Sequence, residues 1–407
     1  MEYRNFGSLG IKISAFGFGC MRLPTTDKVP LSANIDEKES KQMIEYAIDN
    51  GVNYFDTAYG YHNENSEVFL GKALKGGLRN KVFIATKSPV WLIKSKQDFD
   101  KLLHTQLKRL QTDPIDFYLL HALDNYRWNN IVLKYDVINY AEKAKQAGLI
   151  KHFGFSFHDD YETFKKIIDG YDKWEFCQIQ YNYMDTDRQA TQKGFEYAAS
   201  KNIGLIIMSP LLGGRLANPP KDIVSTFNSY SKLCSPAEWA FRWIYNHKNI
   251  STMLSGVSSF EQIKDTIRIV NSCENLTMDK EELDLIAKVK AVYQDRIKIN
   301  CTKCNYCLPC PQGVNIPQNF ELYNDAFIFS NFAMPRTSYQ LFTASSAKAS
   351  SCTQCKECED KCPQKLDISK LLKTTDAELN KPIDENTTSV DTDDTAINTI
   401  FNAAIFP

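Results

Sequence analysis

Asn53-Tyr54-Phe55-Asp56-Thr57-Ala58-Tyr59-Gly60-Tyr61 is a short apolar run that ends in an acid, with a tyrosine five residues beyond it. A strand covered by helices is apolar throughout, and one that delivers a carboxylate to its C-terminal end reads this way. Three later apolar runs also end on reactive side chains: Val82 to Lys87, Asp116 to His121 and His152 to Ser156.

Working outward, a strand-then-helix rhythm fills the first three quarters of the chain. A hairpin, Tyr3 to Phe6 with Ile11 to Ile13, precedes a strand Ala15 to Gly19. Gly17-x-Gly19 lacks the third glycine of a dinucleotide fingerprint, and no helix opens after it, so a Rossmann reading is rejected. Helices are expected at 37–50, 66–74, 98–110, 137–147, 161–169, 189–201, 236–246 and 260–271. They alternate with strands at 52–56, 82–87, 116–121, 152–156, 176–180, 204–208 and 252–256. With the strand at 15–19 this makes eight strand–helix units, and the expected closure is a (β/α)8 TIM barrel. A further helix is expected at 276–299. The domain reading is a barrel over 1–297, a small cysteine-rich domain over 298–375 and a polar, acidic flexible tail over 376–407.

A chain of 407 residues has room for a barrel of about 250 residues and a second small domain. A net charge of −1 gives no field for nucleic acid or an anionic membrane. No apolar run is long enough to span a bilayer. Met1-Glu2-Tyr3-Arg4 leads into polar residues, not a leader's apolar segment. A cytoplasmic location is expected, with neither membrane nor nucleic acid as partner. Of twelve cysteines, eight crowd into two short runs. In a reducing compartment that clustering signals metal, not disulfides.

Asp56, Tyr61, Lys87 and His121 follow from barrel strands two, three and four. A phenol, with an ordinary pKa of about 10, does not readily release its proton at neutral pH. A neighbouring ammonium lowers that value, and a carboxylate beside the lysine keeps it charged. An imidazole opposite polarises a carbonyl oxygen. Together they suit carbonyl reduction, with hydride going to carbon and the Tyr61 proton to oxygen. Taken singly, each has a plainer reading: a cap, a packing ring, a solvated lysine, a structural histidine. The recurrence at successive strand ends favours the joint reading. Cys20 and Cys177 read as buried structural thiols. For Asp124, Arg127 and Trp128, in the loop 122–135, the readings are facing a polar substrate or lying in solvent, and solvent is the expectation.

Tyr54-Phe55-Asp56-Thr57-Ala58-x-x-Tyr61, with Gly71-Lys72-Ala73-Leu74 after it, resembles the first signature of the aldo/keto reductase family. Ile84 to Lys87, Leu107 to Leu110, Leu119 to His121, Ala147 to Lys151 and Gly154 to Ser156 match in order and spacing, so the resemblance covers about residues 1 to 290. It implies a catalytic tetrad of Asp56, Tyr61, Lys87 and His121, with Tyr61 as general acid and a nicotinamide cofactor across the barrel mouth. It also implies that Gly19 and Met21 approach the cofactor. Ser156 and Gln178 would hold the carboxamide, Ser209 and Leu211 the pyrophosphate, and Ser258 and Gln262 the adenosine end. Three positions depart from the family. Phe157 stands for an asparagine, Met208 for a tyrosine that stacks on nicotinamide, and Ser255 to Ser258 lacks the usual basic residue, although Lys264 and Arg268 lie near. NAD(H) and NADP(H) both stay open, and a flavin is the alternative occupant.

The cysteine runs are Cys301-x2-Cys304-x2-Cys307-x2-Cys310-Pro and Cys352-x2-Cys355-x2-Cys358-x3-Cys362-Pro. Such spacings wrap [4Fe–4S] cubanes, and the second is the bacterial ferredoxin pattern. By that precedent Cys301, Cys304 and Cys307 share one cluster with Cys362, and Cys352, Cys355 and Cys358 share the other with Cys310. Zinc, the alternative, usually takes two separated C-x2-C knuckles. The first run has x2 before its last cysteine where x3 is usual. In this it resembles the aldo/keto reductase subgroup with a C-terminal, α-helical ferredoxin-like domain.

The expected function is therefore an NAD(P)H-dependent oxidoreductase acting on a small carbonyl or quinone-like substrate, with two clusters adding one-electron exchange and a redox protein as a candidate partner. Hydride carries two electrons and a cubane one, so coupling them needs a flavin, a quinone-like substrate or a radical step. The alternative is a non-catalytic cofactor-binding barrel that serves as a redox sensor or electron-transfer subunit.

Overall fold

The computed structural model describes residues 1–232, 234–272 and 278–383. Eight parallel strands close into a barrel: β3 (Phe16–Gly19), β4 (Tyr54–Asp56), β5 (Phe83–Ser88), β6 (Ile115–Leu123), β7 (Ile150–Phe157), β8 (Phe176–Gln180), β9 (Gly204–Met208) and β10 (Ile250–Gly256), with β10 pairing back to β3. The expected hairpin is present as β1 (Tyr3–Asn5) against β2 (Lys12–Ser14). Helices α1 (Glu37–Asp49), α2 (Asn65–Ala73), α3 (Asp98–Leu110), α4 (Val137–Gln146), α5 (Tyr161–Asp169), α6 (Thr191–Ser200), α7 (Pro236–Tyr245) and α8 (Phe260–Ser272) occupy the expected places.

The reason lies in local chemistry. In α1, Met43, Ile44, Ala47 and Ile48 recur at helical spacing and are buried, and the Asp36 carboxylate caps the first turn by accepting from Glu39 N at 3.0 Å. Asp160 caps α5 in the same way through Thr163 N. The strands are buried on both faces, so their side chains sort by period two. Phe55, Ile84, Tyr118 and Leu120 join the cluster packed under the helices. Tyr54, Ala85, Phe117, Leu119, Phe176, Ile206 and Leu254 form a second, interior cluster. Phe6, just after β1, completes that cluster, its ring 4.8 Å from Phe117 and 5.5 Å from Phe176. Each fully buried Phe, Leu or Ile among them contributes about 1.5–3 kcal/mol by leaving water.

The same alternation fixes the site. Two residues beyond the inward Tyr54, Ala85, Leu119, Phe176 and Ile206 stand Asp56, Lys87, His121, Gln178 and Met208, so these also point inward, at the C-terminal ends of the strands.

Among the described residues, two compact units emerge from the contacts: one within 1–213 and 237–279, the other within 214–236 and 280–383. In the second, helix Lys280–Gln294 packs with a short helix Lys221–Phe227. The expected helix at 276–299 therefore begins at Lys280, and residues 273–277 lie outside the described residues. Within this unit Arg296 pairs with Asp222, and Arg215 bonds Asp325 at 2.9 Å and lies over the Phe329 ring. Of the tail read at 376–407, the first residues finish a helix, Ile368–Leu379, and 384–407 lie outside the described residues. Among the described residues no helix is long and apolar enough to cross a membrane.

Helix α2 sits close against the end of α3 because Gly71 has no side chain. A Cβ there would stand 2.7 Å from the backbone oxygens of Arg109 and Leu110. Gly71→Ala is expected to destabilise the barrel by about 1–3 kcal/mol, read as a lowered urea midpoint; an unchanged midpoint would show that α2 is free to shift.

Candidate active site

Asp56, the last residue of β4, is 3% exposed, and Lys87 on β5 is fully buried. The Lys87 ammonium donates to Asp56 Oδ1 at 2.6 Å, to the Thr57 carbonyl at 2.8 Å and to the Tyr61 hydroxyl at 3.3 Å. All three of its N–H groups are thus directed. Burial works against the charge on Lys87, but Asp56 and Tyr61 outweigh it and hold the amine above its usual range. Burial pushes the Asp56 carboxyl up, with Lys87 opposing. At 2.6 Å the two stand as an ion pair.

Lys87 pulls the Tyr61 phenol down, as the sequence suggests, but burial is the larger influence, Asp56 adds to it, and the phenol stays above its usual value. Tyr61 therefore remains protonated through neutral pH.

His121, on β6, has its ring edge-on to Tyr61 with centroids 6.2 Å apart. Burial, then the charges of Lys87, His158 and Arg127, hold it well below its usual range, so its ring is neutral. Nδ1 is buried without a hydrogen-bond partner.

Sequence reasoning missed the wall beside His121. Trp91, four residues past Lys87, stands 5.1 Å from the His121 ring. Arg127 and Trp128, expected in solvent, are buried. Arg127 donates to the Ala122 carbonyl at 3.2 Å and to Asp124 at 2.5 Å, and lies 5.9 Å from the Trp91 ring centroid. The signal in the sequence was faint: an arginine three residues after an acid that opens a short helix.

The other predicted positions fall on the same rim. Gly19 pairs in register with Asp56 and with Gly256, and Met21 follows in a 3-10 turn. Ser156 Oγ accepts from Ala122 N at 2.8 Å, which leaves its own hydrogen to donate elsewhere. Gln178 Nε2 donates to the Met208 sulfur at 3.6 Å, and its buried Oε1 has no partner. That orphaned acceptor and the Ser156 hydroxyl suit a primary carboxamide such as nicotinamide's. Phe157 is turned into the core, 5.0 Å from Phe164, and takes no place on the rim. Ser209 adopts a left-handed backbone, and its carbonyl accepts from Asn182. Leu211 follows it on the same loop. Ser258 N and Oγ both donate to Gln262 Oε1, which ties off the turn entering α8. Cys20 and Cys177 are buried, as expected.

In the second unit, Cys301, Cys304, Cys307 and Cys362 line one pocket with Ile316, Pro317, Phe320, Leu366 and Ile368. Burial, and after it Cys301, push the Cys307 thiol up to about 11, with Cys304 and Cys362 adding to the shift. Among the described residues no three acidic, histidine or cysteine side chains close on a single-ion point. Four thiols lining one pocket without converging on a single-ion point fit a cubane, whose outer ligands stand further apart than those of one ion. Cys310, Cys352 and Cys358 pack against the same apolar cluster, while Cys355 is exposed.

The chain matches the aldo/keto reductase family model over residues 15–291 and a 4Fe-4S dicluster domain over 300–367. It is 27% identical over 312 residues to L-galactose dehydrogenase of Arabidopsis thaliana, covering 71% of this chain and 94% of that protein. It is 26% identical over 328 residues to an uncharacterized oxidoreductase of Bacillus subtilis, 70% and 95% covered. An aldo-keto reductase from Bacillus halodurans, in its holo form, superposes with a TM-score of 0.58 at 25% identity, covering 71% of this chain and 96% of that one. An aldo-keto reductase from Klebsiella pneumoniae solved with NADPH shares the fold at a TM-score of 0.57 and 21% identity, again 71% and 96% covered.

His158, half-buried after β7, gives the site a pH signature. Burial, then Arg127, push it down to about 4, against about 6.5 in an unfolded chain. Between these values the unfolded chain binds a proton that the folded one refuses, so stability present above pH 6.5 is lost as the pH falls towards 4. The melting temperature is expected to drop over that window, with His121 adding to the loss, and His158→Gln to make the drop shallower; an equal slope in both proteins would remove His158 as a contributor.

Proposed function

Because the chain belongs to the aldo/keto reductase family, we propose that it reduces a small carbonyl or quinone-like substrate, with Tyr61 as the proton donor and a nicotinamide dinucleotide as the hydride source. The observation that carries this reading is the buried Lys87 ammonium directed at once to Asp56 and to the Tyr61 hydroxyl. When bound, the nicotinamide supplies hydride to the carbonyl carbon.

Tyr61 supplies the proton to the carbonyl oxygen, and its raised value keeps that proton available. Lys87 acts as the phenolate forms: a buried cation 3.3 Å away offsets the new charge, and its own burial strengthens that stabilisation. Asp56 holds the ammonium in place and charged. His121, neutral and with a free buried ring nitrogen, orients the carbonyl oxygen towards Tyr61. Trp91 and Arg127 close the flank beside it. Gln178 Oε1 and the Ser156 hydroxyl would hold the carboxamide, and Gly19, Met21, Ser209, Leu211, Ser258 and Gln262 would line the cofactor's path. With Phe157 in the core, the third carboxamide contact is missing. Met208 puts a thioether where a ring would stack. The choice between NADH and NADPH rests on none of these contacts.

The C-terminal residues support two [4Fe–4S] clusters, one on Cys301, Cys304, Cys307 and Cys362, the other on Cys352, Cys355, Cys358 and Cys310. Clusters held at these sites would supply one-electron exchange.

Tyr61→Phe is expected to lower carbonyl reduction by about 10²–10⁴-fold while the cluster absorbance persists; full activity would sink the reading, and nucleotide binding with no turnover of any carbonyl would replace it with a sensor. Anaerobic purification is expected to yield two cubanes' complement of iron and labile sulfide, with Cys362→Ala losing one of them. Zinc without sulfide would overturn the cluster assignment.

A further inference from the structure

Glu67, in the first turn of α2, has a side chain with no solvent exposure. Its Oε1 accepts from Thr86 Oγ1 at 2.6 Å and from Gln106 Nε2 at 2.6 Å, and its Oε2 faces Arg109 at 3.4 Å. Burial pushes its carboxyl up, while these donors oppose the rise. Closing a barrel does not call for a buried acid here, and an apolar residue would fill the place at lower desolvation cost.

The identity of the donors is informative. Thr86 is the neighbour of Lys87, and Gln106 Nε2 also donates to the Lys87 carbonyl at 3.0 Å. Gln106 is itself fixed through its Oε1 by the Tyr118 hydroxyl at 2.7 Å. Arg109 donates to the Tyr59 carbonyl at 3.4 Å, lies 4.1 Å from the Tyr59 ring centroid and pairs with Glu64. Next to Glu67, Ser66 Oγ bonds Thr57 Oγ1 at 2.9 Å and the Cys20 carbonyl at 3.2 Å. The loop from Asp56 to Glu67, which carries Tyr61, is thus tied on both sides of Tyr61 and fastened to the strand residues Thr86 and Lys87.

We propose that Glu67 is a positioning residue, joined by Gln106, that sets the separation of Tyr61 from Lys87 and so the strength with which Tyr61 holds its proton. This rests on Tyr61 being the proton donor. The groups facing Tyr61 are Lys87, Asp56, Cys20 and His121. Those facing Glu67 are Thr86, Gln106 and Arg109, with Tyr118 near. Glu67 is not among the charges that act on Tyr61, so its influence runs through geometry. If the loop loosens, the cation recedes and the phenol rises further.

The test takes Glu67→Gln, Glu67→Asp and Gln106→Leu in the full-length protein. The ionisation of Tyr61 is read as the tyrosinate absorbance lost when Tyr61→Phe is added to each background, and kcat, KM and melting temperature are measured across pH. Glu67→Gln and Gln106→Leu are expected to move Tyr61 ionisation to higher pH and to lower kcat about tenfold or more with KM little changed, since small misplacements at a reacting centre are costly. Glu67→Asp is expected to recover part of both. If Glu67→Gln does not fold, Gln106→Leu carries the test. A lowered melting temperature with Tyr61 ionisation unmoved would overturn the inference and leave Glu67 a purely structural acid. Full activity of Tyr61→Phe would instead remove the catalytic reading, and the ionisation measurement would still decide whether Glu67 sets the geometry.

Discussion

The buried contact between Lys87 and Asp56 is the constraint around which the barrel mouth is arranged. Two charges at 2.6 Å with almost no solvent gain little net stability, because desolvation consumes most of their attraction, and removing either leaves the other uncompensated. Such a pair persists only where both backbones are held independently of it. Here β4 and β5 are hydrogen-bonded in register, Tyr54 to Phe83, Phe55 to Ile84 and Asp56 to Ala85, so the pair is imposed by the sheet. The Thr57 carbonyl completes the cage.

Burial and charge oppose each other at Tyr61, and burial wins in the protein as it stands. An exposed phenol would feel Lys87 weakly through water; a largely covered one such as Tyr61 feels it more strongly and is also poorly hydrated. That balance leaves a group that keeps its proton at neutral pH, as the proposed role of Tyr61 requires. In that proposal the cation matters most for the phenolate left behind. His121 shows the same physics with the opposite sign, since burial and three neighbouring cationic or imidazole groups leave it neutral.

The C-terminal unit uses a different economy of structure. Its apolar cluster of Ile299, Val314, Ile316, Phe320, Tyr339, Ile368 and Leu372 includes Cys307 and Cys362, so the thiols are packed as core side chains around a space of their own. Small domains commonly need such inorganic staples because their apolar cores are modest.

The barrel was legible in the sequence because strand and helix periods are local properties: apolar runs capped by Asp56, Lys87, His121 and Ser156 alternate with amphipathic helices, and the family match over 15–291 agrees. The cysteine spacing was legible for the same reason, as ligand spacing is written along the chain. Burial was not. No pattern in the loop after β6 told that Arg127 and Trp128 would be covered, nor that desolvation would outweigh Lys87 at Tyr61, nor that Glu67, Thr86, Gln106 and Arg109 would meet. Those outcomes depend on which distant segments exclude water from a point, a sum over the whole closed barrel that no stretch of sequence contains.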